Sequence, residues 1–348
     1  MSQTMLLRVP PGTVLQNAQI TNTRYGTGGA TPADQALHPH LVDAYVPSGF
    51  VKLALVLLHG AGGRKGHFAA NLGLLFGPLS GGPSAVNWNL LSYYGMAVFI
   101  PQGQYCHGVD AAWGAGGNPY NPNDVTTISA NNPQGVPTWD NRVMLSRYDD
   151  RQFLLDLAAW IQSQVGVTGR ILAGHSNGGM MANRMWYEHQ PYSYHAYASA
   201  SGPPSVYYRD VAPSPPAVVV PLFEQHAAMD TNIGIAGGHF QDATWTLSQA
   251  SVAYPVFPAH ATVIGAWQQF QRRIDAFDAY SALPPETPSY GGGVVTNVAI
   301  GTRTDWSAGN GGQRLRLYSD AAHGITTQQK ANARKWVSDV AAWGYTLF

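Results

Sequence analysis

The stretch Arg170-Ile171-Leu172-Ala173-Gly174-His175-Ser176-Asn177-Gly178-Gly179 decides the fold. Its first half belongs to a strand expected at 170–175, apolar enough to be buried on both faces as a parallel strand requires. Its second half leads into a helix expected at 179–189. Gly174, Ser176 and Gly178 make a Gly-x-Ser-x-Gly pattern between strand and helix, the context of a nucleophile elbow. The flanking glycines fit because the turn is too tight for side chains there. The strained turn lifts the Ser176 hydroxyl above the sheet, and the helix N-terminus favours developing negative charge beside it. A plainer reading is a glycine-rich strand-to-helix turn with a capping serine; the strand before and the helix after favour the elbow.

Outward from this point the chain alternates. Apolar runs at 51–58, 96–101, 195–201, 218–225 and 314–319 read as further strands. Helical spacing appears at 152–165, where Phe153, Leu157, Trp160, Ile161 and Val165 recur at three- and four-residue steps before Gly166 stops the run. It appears again at 263–280 and 326–343. Such alternation implies an α/β fold, a mostly parallel central sheet with helices on both faces. Residues 13–20 and 41–47 read as antiparallel edge strands. Three stretches fit neither period, at about 102–146, 237–260 and 281–305, and are expected as long loop insertions in a single domain spanning 1–348. The last of them has room for a strand at 293–300. Trp113, Tyr120, Trp139, Trp245 and Trp306 argue against disorder in these regions. No internal repeat or linker marks a second domain.

A serine nucleophile needs a base, and the base an orienting carboxylate. On this kind of sheet the chain order is serine, acid, histidine. The acid is expected just beyond strand 218–225, where Asp230 stands; Glu224 is too early and Asp242 is the rival. Only His239, His260 and His323 follow Asp230. His323, between the last strand and the last helix, is the expected base. His59-Gly60-Ala61-Gly62-Gly63 follows strand 51–58, the place of a loop that supplies one oxyanion N–H while the residue after the nucleophile supplies the other. Ala61 and Asn177 are therefore the expected oxyanion hole. A phosphate loop fails on spacing, because Lys65 lies between Arg64 and Gly66; a dinucleotide loop would need Gly at 65 and an acidic residue near 80. His59 is expected to hold its loop by hydrogen bonds, and His175 to pack. His38, His40, His107 and His260 lack ligand-like spacing, so no metal and no cofactor are expected.

Composition bounds the partners. The 348 residues carry 19 basic and 19 acidic side chains, only 11% charged, with 39 Gly, 24 Pro, 10 Trp and 18 Tyr. A neutral chain with so few cations is a poor match for nucleic acid or an anionic membrane surface. The 45% hydrophobic content argues against disorder. No apolar run reaches the roughly 18 residues a membrane helix needs. Cys106 is the only cysteine, so no intrachain disulfide can form. The first 15 residues lack the apolar core of a secretory leader.

These residues resemble the poly(3-hydroxybutyrate) depolymerase-like esterases, a branch of the α/β-hydrolase fold that also holds feruloyl and acetylxylan esterases. The resemblance runs from about residue 41 to 343. It includes Tyr45-Val46-Pro47-Ser48-Gly49 leading into Leu58-His59-Gly60, Tyr148-Asp149-Asp150-Arg151-Gln152-Phe153 before the elbow, and Ser176-Asn177-Gly178-Gly179-Met180-Met181. The family carries its acid in an H-G-T-x-D-x-x-V-P-Y segment. Here Gln225-His226-Ala227-Ala228-Met229-Asp230-Thr231-Asn232-Ile233-Gly234 stands in its place, matching the Asp but not the Gly-Thr or the Pro-Tyr. Ala61 replaces a Cys frequent after the oxyanion His-Gly.

The resemblance implies ester hydrolysis through an acyl-enzyme, with Ser176 attacking, His323 as base, Asp230 orienting it, and the Ala61 and Asn177 amides at the oxyanion. Relatives with this elbow include polyester depolymerases and oxidised poly(vinyl alcohol) hydrolases, the latter cleaving a C–C bond of a β-diketone. The same scaffold would also suit an amidase or a non-catalytic binding protein. Trp113, Trp139, Trp245, Tyr105 and Tyr254 are candidates for a hydrophobic substrate groove, with loop packing as the competing role for each. A lightly charged, aromatic surface suits a small ester or a polymer, with no nucleic acid or membrane partner; the oligomeric state is open. It also suits a secreted or periplasmic enzyme whose leader has been removed, against a cytoplasmic one.

Overall fold

The computed structural model describes residues 12–20, 40–76, 85–106, 136–141, 149–191, 193–205, 208, 220–230, 233–235, 237–239, 262–266, 293–298, 301–308, 312–319, 323 and 330–348, with backbone alone at 105, 106, 136, 137, 238, 239, 262, 263, 308 and 330–335. Ten strands form one sheet: β1 (Thr13–Gln19), β2 (Leu41–Val46), β3 (Leu53–Leu58), β4 (Met96–Pro101), β5 (Gly169–His175), β6 (Ala196–Ala200), β7 (Leu222–Ala227), β8 (Val294–Asn297), β9 (Thr302–Ala308) and β10 (Gln313–Tyr318). Five helices are described: α1 (Lys65–Asn71), α2 (Trp88–Tyr93), α3 (Asp150–Val165), α4 (Asn177–Tyr187) and α5 (Lys330–Leu347).

The sheet order is β1-β2-β4-β3-β5-β6-β7-β10-β9-β8. The run from β4 to β10 is parallel throughout, and antiparallel strands flank it at both ends. This order, with a serine turn after β5, is that of the α/β-hydrolase fold. The chain runs from β3 outward to β4, returns past it to β5, and then builds in the other direction. Such a reversal opens a crevice at the carboxyl ends of the two strands, where ligands of open α/β sheets bind.

All six residues of β3 are buried, because helices cover both faces of the sheet and leave no solvated side. Alternation sorts its side chains. Ala54, Val56 and Leu58 pack on one face against Phe153, Leu157 and Ile161 of α3 and Met181 and Met185 of α4. Leu55 and Leu57 face Phe68 of α1, Leu91 of α2 and Trp336, Val340 and Trp343 of α5. Helix α3 begins where Asp149 accepts from the Gln152 N–H at 3.0 Å. It ends at Gly166 with φ 64°, a left-handed position that glycine adopts freely.

Three stretches depart in part from expectation. In the 281–305 insertion the strand allowed for at 293–300 is present as Val294–Asn297, and Thr302–Ala308 adds a second; both extend the sheet past β10 by antiparallel pairing. β8, Val-Val-Thr-Asn, is short and exposed along its length, and β9 is mostly polar, so neither is a long buried apolar run. Thr262–Ile264, at the start of the span expected as a helix at 263–280, is a strand paired with Gly237–His239, while Ala266 is helical; beyond 266 that span lies outside the described residues. Within 102–146, Gln104–Cys106 pairs with Val136–Thr138 in a short two-stranded sheet.

Candidate active site

The turn at Ser176 has φ 53° and ψ −121°, a conformation costly for any residue with a Cβ. The surrounding backbone imposes it. A Cβ on Gly174 would lie 2.2 Å from Gly178 O; one on Gly178 would lie 2.4 Å from Leu58 O and 2.6 Å from His59 O; one on Gly202 would lie 2.5 Å from Ser176 O. Strand end, helix start and the β3 turn are thus in direct backbone contact, which only glycine permits. The Ser176 N–H donates to Ala200 O at 2.8 Å, so the turn is also tied to β6.

Asp230, three residues beyond β7, and His323, beyond β10, meet Ser176 there. His323 Nδ1 lies 2.8 Å from Asp230 Oδ2, and His323 Nε2 lies 2.8 Å from Ser176 Oγ. With Asp230 ionised, Nδ1–H donates to the carboxylate and Nε2 accepts from the serine hydroxyl. Asp230 Oδ1 accepts from the Ile233 N–H at 2.8 Å. Burial alone would raise the Asp230 pKa; the hydrogen bond and charge of His323, then His226 and the Ile233 amide, outweigh it and hold the carboxyl below its ordinary value. The structure therefore joins the three residues expected as a triad, despite the missing Gly-Thr and Pro-Tyr around Asp230. The rival Asp242 lies outside the described residues.

The expected oxyanion amides sit on opposed turns. Gly60 O accepts from His59 Nδ1 at 2.8 Å and from the Gly63 N–H at 3.0 Å. In a trans peptide the N–H points opposite the carbonyl, so these two donors aim the Ala61 N–H the other way. Ser176 O accepts from the Met180 N–H at 2.9 Å, which likewise directs the Asn177 N–H out of the α4 N-terminus. Gly60 lies against Ser176, since a Cβ there would be 3.3 Å from Ser176 Cβ.

His59 holds this loop as its position suggested. Its Nε2 accepts from the Gly103 N–H at 2.9 Å and lies 3.0 Å from Gln102 Nε2, so Nδ1 carries the proton. Burial lowers its pKa to about 4, keeping the ring neutral. His175 is likewise lowered to about 4, by burial first and then by the neighbouring His323. Its Nε2–H donates to His323 O at 2.9 Å, anchoring the His323 backbone.

Of the two roles open to Trp139, the structure gives it packing rather than groove lining. It is fully buried, its Nε1–H donates to His59 O at 3.0 Å, and its N–H donates to Asn177 Oδ1 at 2.8 Å. It supports the site from beneath and lines no groove. Trp113, Trp245 and Tyr254 lie outside the described residues, as does the side chain of Tyr105. Sequence reading passed over Gln102, Asn141 and His226. Asn141 Nδ2 donates to Asn177 O at 3.1 Å, and the His226 Nε2–H donates to Ile233 O at 2.8 Å beneath Asp230. Asn141 stands in an aperiodic stretch, where only a Trp two residues before it hinted at burial. Among the described residues no group of three or more His, Cys, Asp or Glu could hold a metal ion, and no helix is long and apolar enough to cross a membrane.

Comparison with known families and with curated proteins finds no match. Solved structures give distant likenesses. The acetyl xylan esterase from Aspergillus awamori is 14% identical over 96% of this chain and 100% of its own, with a TM-score of 0.47. The poly(aspartic acid) hydrolase-1 from Sphingomonas sp. KT-1 is 13% identical over 96% and 100%, with a TM-score of 0.44. A poly(3-hydroxybutyrate) depolymerase from Bordetella parapertussis is 14% identical over 57% and 64%, with a TM-score of 0.32. All three lie below 0.5, so the α/β-hydrolase fold rests on the sheet order and the serine turn of this chain itself.

Proposed function

We propose that the protein is a serine hydrolase that cleaves carboxylic esters through an acyl-enzyme, with an uncharged or polymeric substrate. The observation that carries this reading is the unbroken chain Asp230–His323–Ser176, with both hydrogen bonds at 2.8 Å and the serine on a strained turn. As Ser176 Oγ bonds to the carbonyl carbon, its proton passes to His323 Nε2 and Asp230 stabilises the imidazolium. The Ala61 and Asn177 amides receive the oxyanion. Collapse breaks the bond to the alcohol oxygen, which takes the proton from Nε2. Water, deprotonated by His323, then releases the acid. The 11% charge content supports an uncharged substrate.

The test is a product-resolved screen of a short-chain nitrophenyl ester, polyhydroxybutyrate, a feruloylated sugar and a β-diketone, each beside the Ser176→Ala protein. Ester turnover and fluorophosphonate labelling are both expected to vanish on substitution. Labelling that persists on Ser176→Ala would overturn the assignment of the nucleophile. Turnover of the β-diketone alone would replace ester cleavage with C–C hydrolysis.

A further inference from the structure

The parallel pairing of β3 with β5 ends at Leu58 and Gly174. Ala61 and Asn177 each lie three residues past that last pair, so the strand ladder does not itself fix one amide relative to the other. Residues 138–141 span the gap. Trp139 holds the β3 side through its Nε1–H bond to His59 O. On the α4 side its backbone exchanges two hydrogen bonds with the Asn177 side-chain amide, N–H to Oδ1 at 2.8 Å and Nδ2–H to O at 3.3 Å. Asn141 adds a bond to Asn177 O. The segment is anchored in turn: the Asp140 N–H donates to Asp150 Oδ2 at 2.7 Å, and Arg184 Nη1 donates to Asp140 O at 2.6 Å. Trp139, Asp140, Asn141, Asn177, His59 and Asp150 are all buried.

We infer that residues 138–141 form a strap that positions the oxyanion hole, with Trp139 and Asn141 setting the separation and aim of the Ala61 and Asn177 amides. The inference rests on the serine hydrolase reading. Trp139 and Asn141 are positioning residues, acting through His59 and Asn177. The indole grips the carbonyl on the peptide preceding the one that carries the Ala61 N–H. The Asn177 side chain and carbonyl are held on the same residue that presents the second N–H. Groups that meet charge only as it develops must be aimed before the reaction, and an error of about 1 Å in such placement can cost about 100-fold in rate. The strap supplies that aim without contacting the substrate.

Trp139→Phe retains a ring in the core and removes the indole N–H; Asn141→Ala removes one bond to the α4 start. Each variant is compared with the parent for kcat per fluorophosphonate-titrated site, KM, and affinity for an aryl boronic acid, whose tetrahedral adduct occupies the oxyanion hole. Expected is a fall in kcat of about 10- to 100-fold with KM within about twofold, and a parallel loss of boronate affinity. A role confined to core packing would lower the melting temperature and the titrated fraction while leaving kcat per site unchanged. Folded variants whose kcat per site and boronate affinity stay within about twofold of the parent would overturn the inference. If Trp139→Phe does not fold, Asn141→Ala decides by the same readouts. A parent protein without Ser176-dependent labelling and turnover would instead overturn the hydrolase reading on which the strap depends.

Discussion

Replacing Asp230 by Asn tests the triad at the point where its hydrogen bonding is most constrained. Asp230 accepts on both oxygens, from His323 Nδ1–H and from the Ile233 N–H, each at 2.8 Å, and its side chain is fully buried. An Asn there has one acceptor and one donor. If its oxygen stays with Ile233, its NH2 faces His323 Nδ1, which must then become the acceptor. The ring proton moves to Nε2, and the histidine can no longer take the serine proton. If the amide flips, the base keeps its useful tautomer, but NH2 meets the buried Ile233 N–H and leaves it unsatisfied, at a cost of about 1–3 kcal/mol. The unproductive orientation is thus favoured roughly 5- to 150-fold from that term alone. The remaining loss comes from an imidazolium with no carboxylate beside it. Together they predict a fall in kcat of about 10⁴, the size found when a triad aspartate is made an amide elsewhere. The assay is hydrolysis of a short-chain nitrophenyl ester at neutral pH, with circular dichroism to check folding. A folded Asp230→Asn protein with kcat within about tenfold of the parent would refute the reasoning.

Further outcomes follow from the same geometry. Gly178→Ala places a methyl 2.4 Å from Leu58 O, backbone that cannot rotate away; denaturant unfolding is expected to show about 1–3 kcal/mol lost, and kcat per titrated site to fall because the β3 turn is pushed from the elbow. Gly66→Ala, in α1 with nothing within 4 Å of the new methyl, serves as a control expected to gain about 0.4–1 kcal/mol. Stability is also expected to fall with acid. His59, His175 and His189 have folded-state pKa values lowered to about 4, each by burial first. Between that value and the ordinary 6.5, the unfolded chain binds more protons, so stability rises with pH across this window and is lost as pH falls through it. For fully buried His59 the difference amounts to about 3 kcal/mol. Asp230, with its pKa held down, adds a second loss only below the ordinary carboxylate value. Urea midpoints measured from pH 7 to pH 4 check this; a flat profile would show that these rings protonate freely in the folded protein.

The central strands were legible because burial on both faces leaves an unmistakable apolar run: Met96–Pro101 has the expected bounds, and the Gly169–His175 strand begins one residue early. Ser176, Asp230 and His323 were legible because the fold orders them along the chain and each follows a strand end. The β8–β9 edge was legible in part: a strand could be placed at 293–300, but short, exposed β8 and polar β9 lack the long apolar run of a buried strand. The 138–141 strap was obscured for a different reason. Its value lies in hydrogen bonds to residues 38 and 80 positions away, and such pairings leave no period. Trp139 misled because an aromatic in a glycine-rich stretch reads equally as a wall of a cleft or as a support below it; only its burial separates the two.

The positive φ of Ser176 bears on how this protein responds to selection for robustness. A glycine at 176 would adopt φ 53° without the penalty of about 1–3 kcal/mol that a side chain incurs in such a region, and would leave the glycine contacts around it intact. On the proposed mechanism, relieving that strain removes both the nucleophile and its hydrogen bond to His323. A library sorted by heat resistance alone would then be free to lose the serine, and a sort that also demands turnover would keep it.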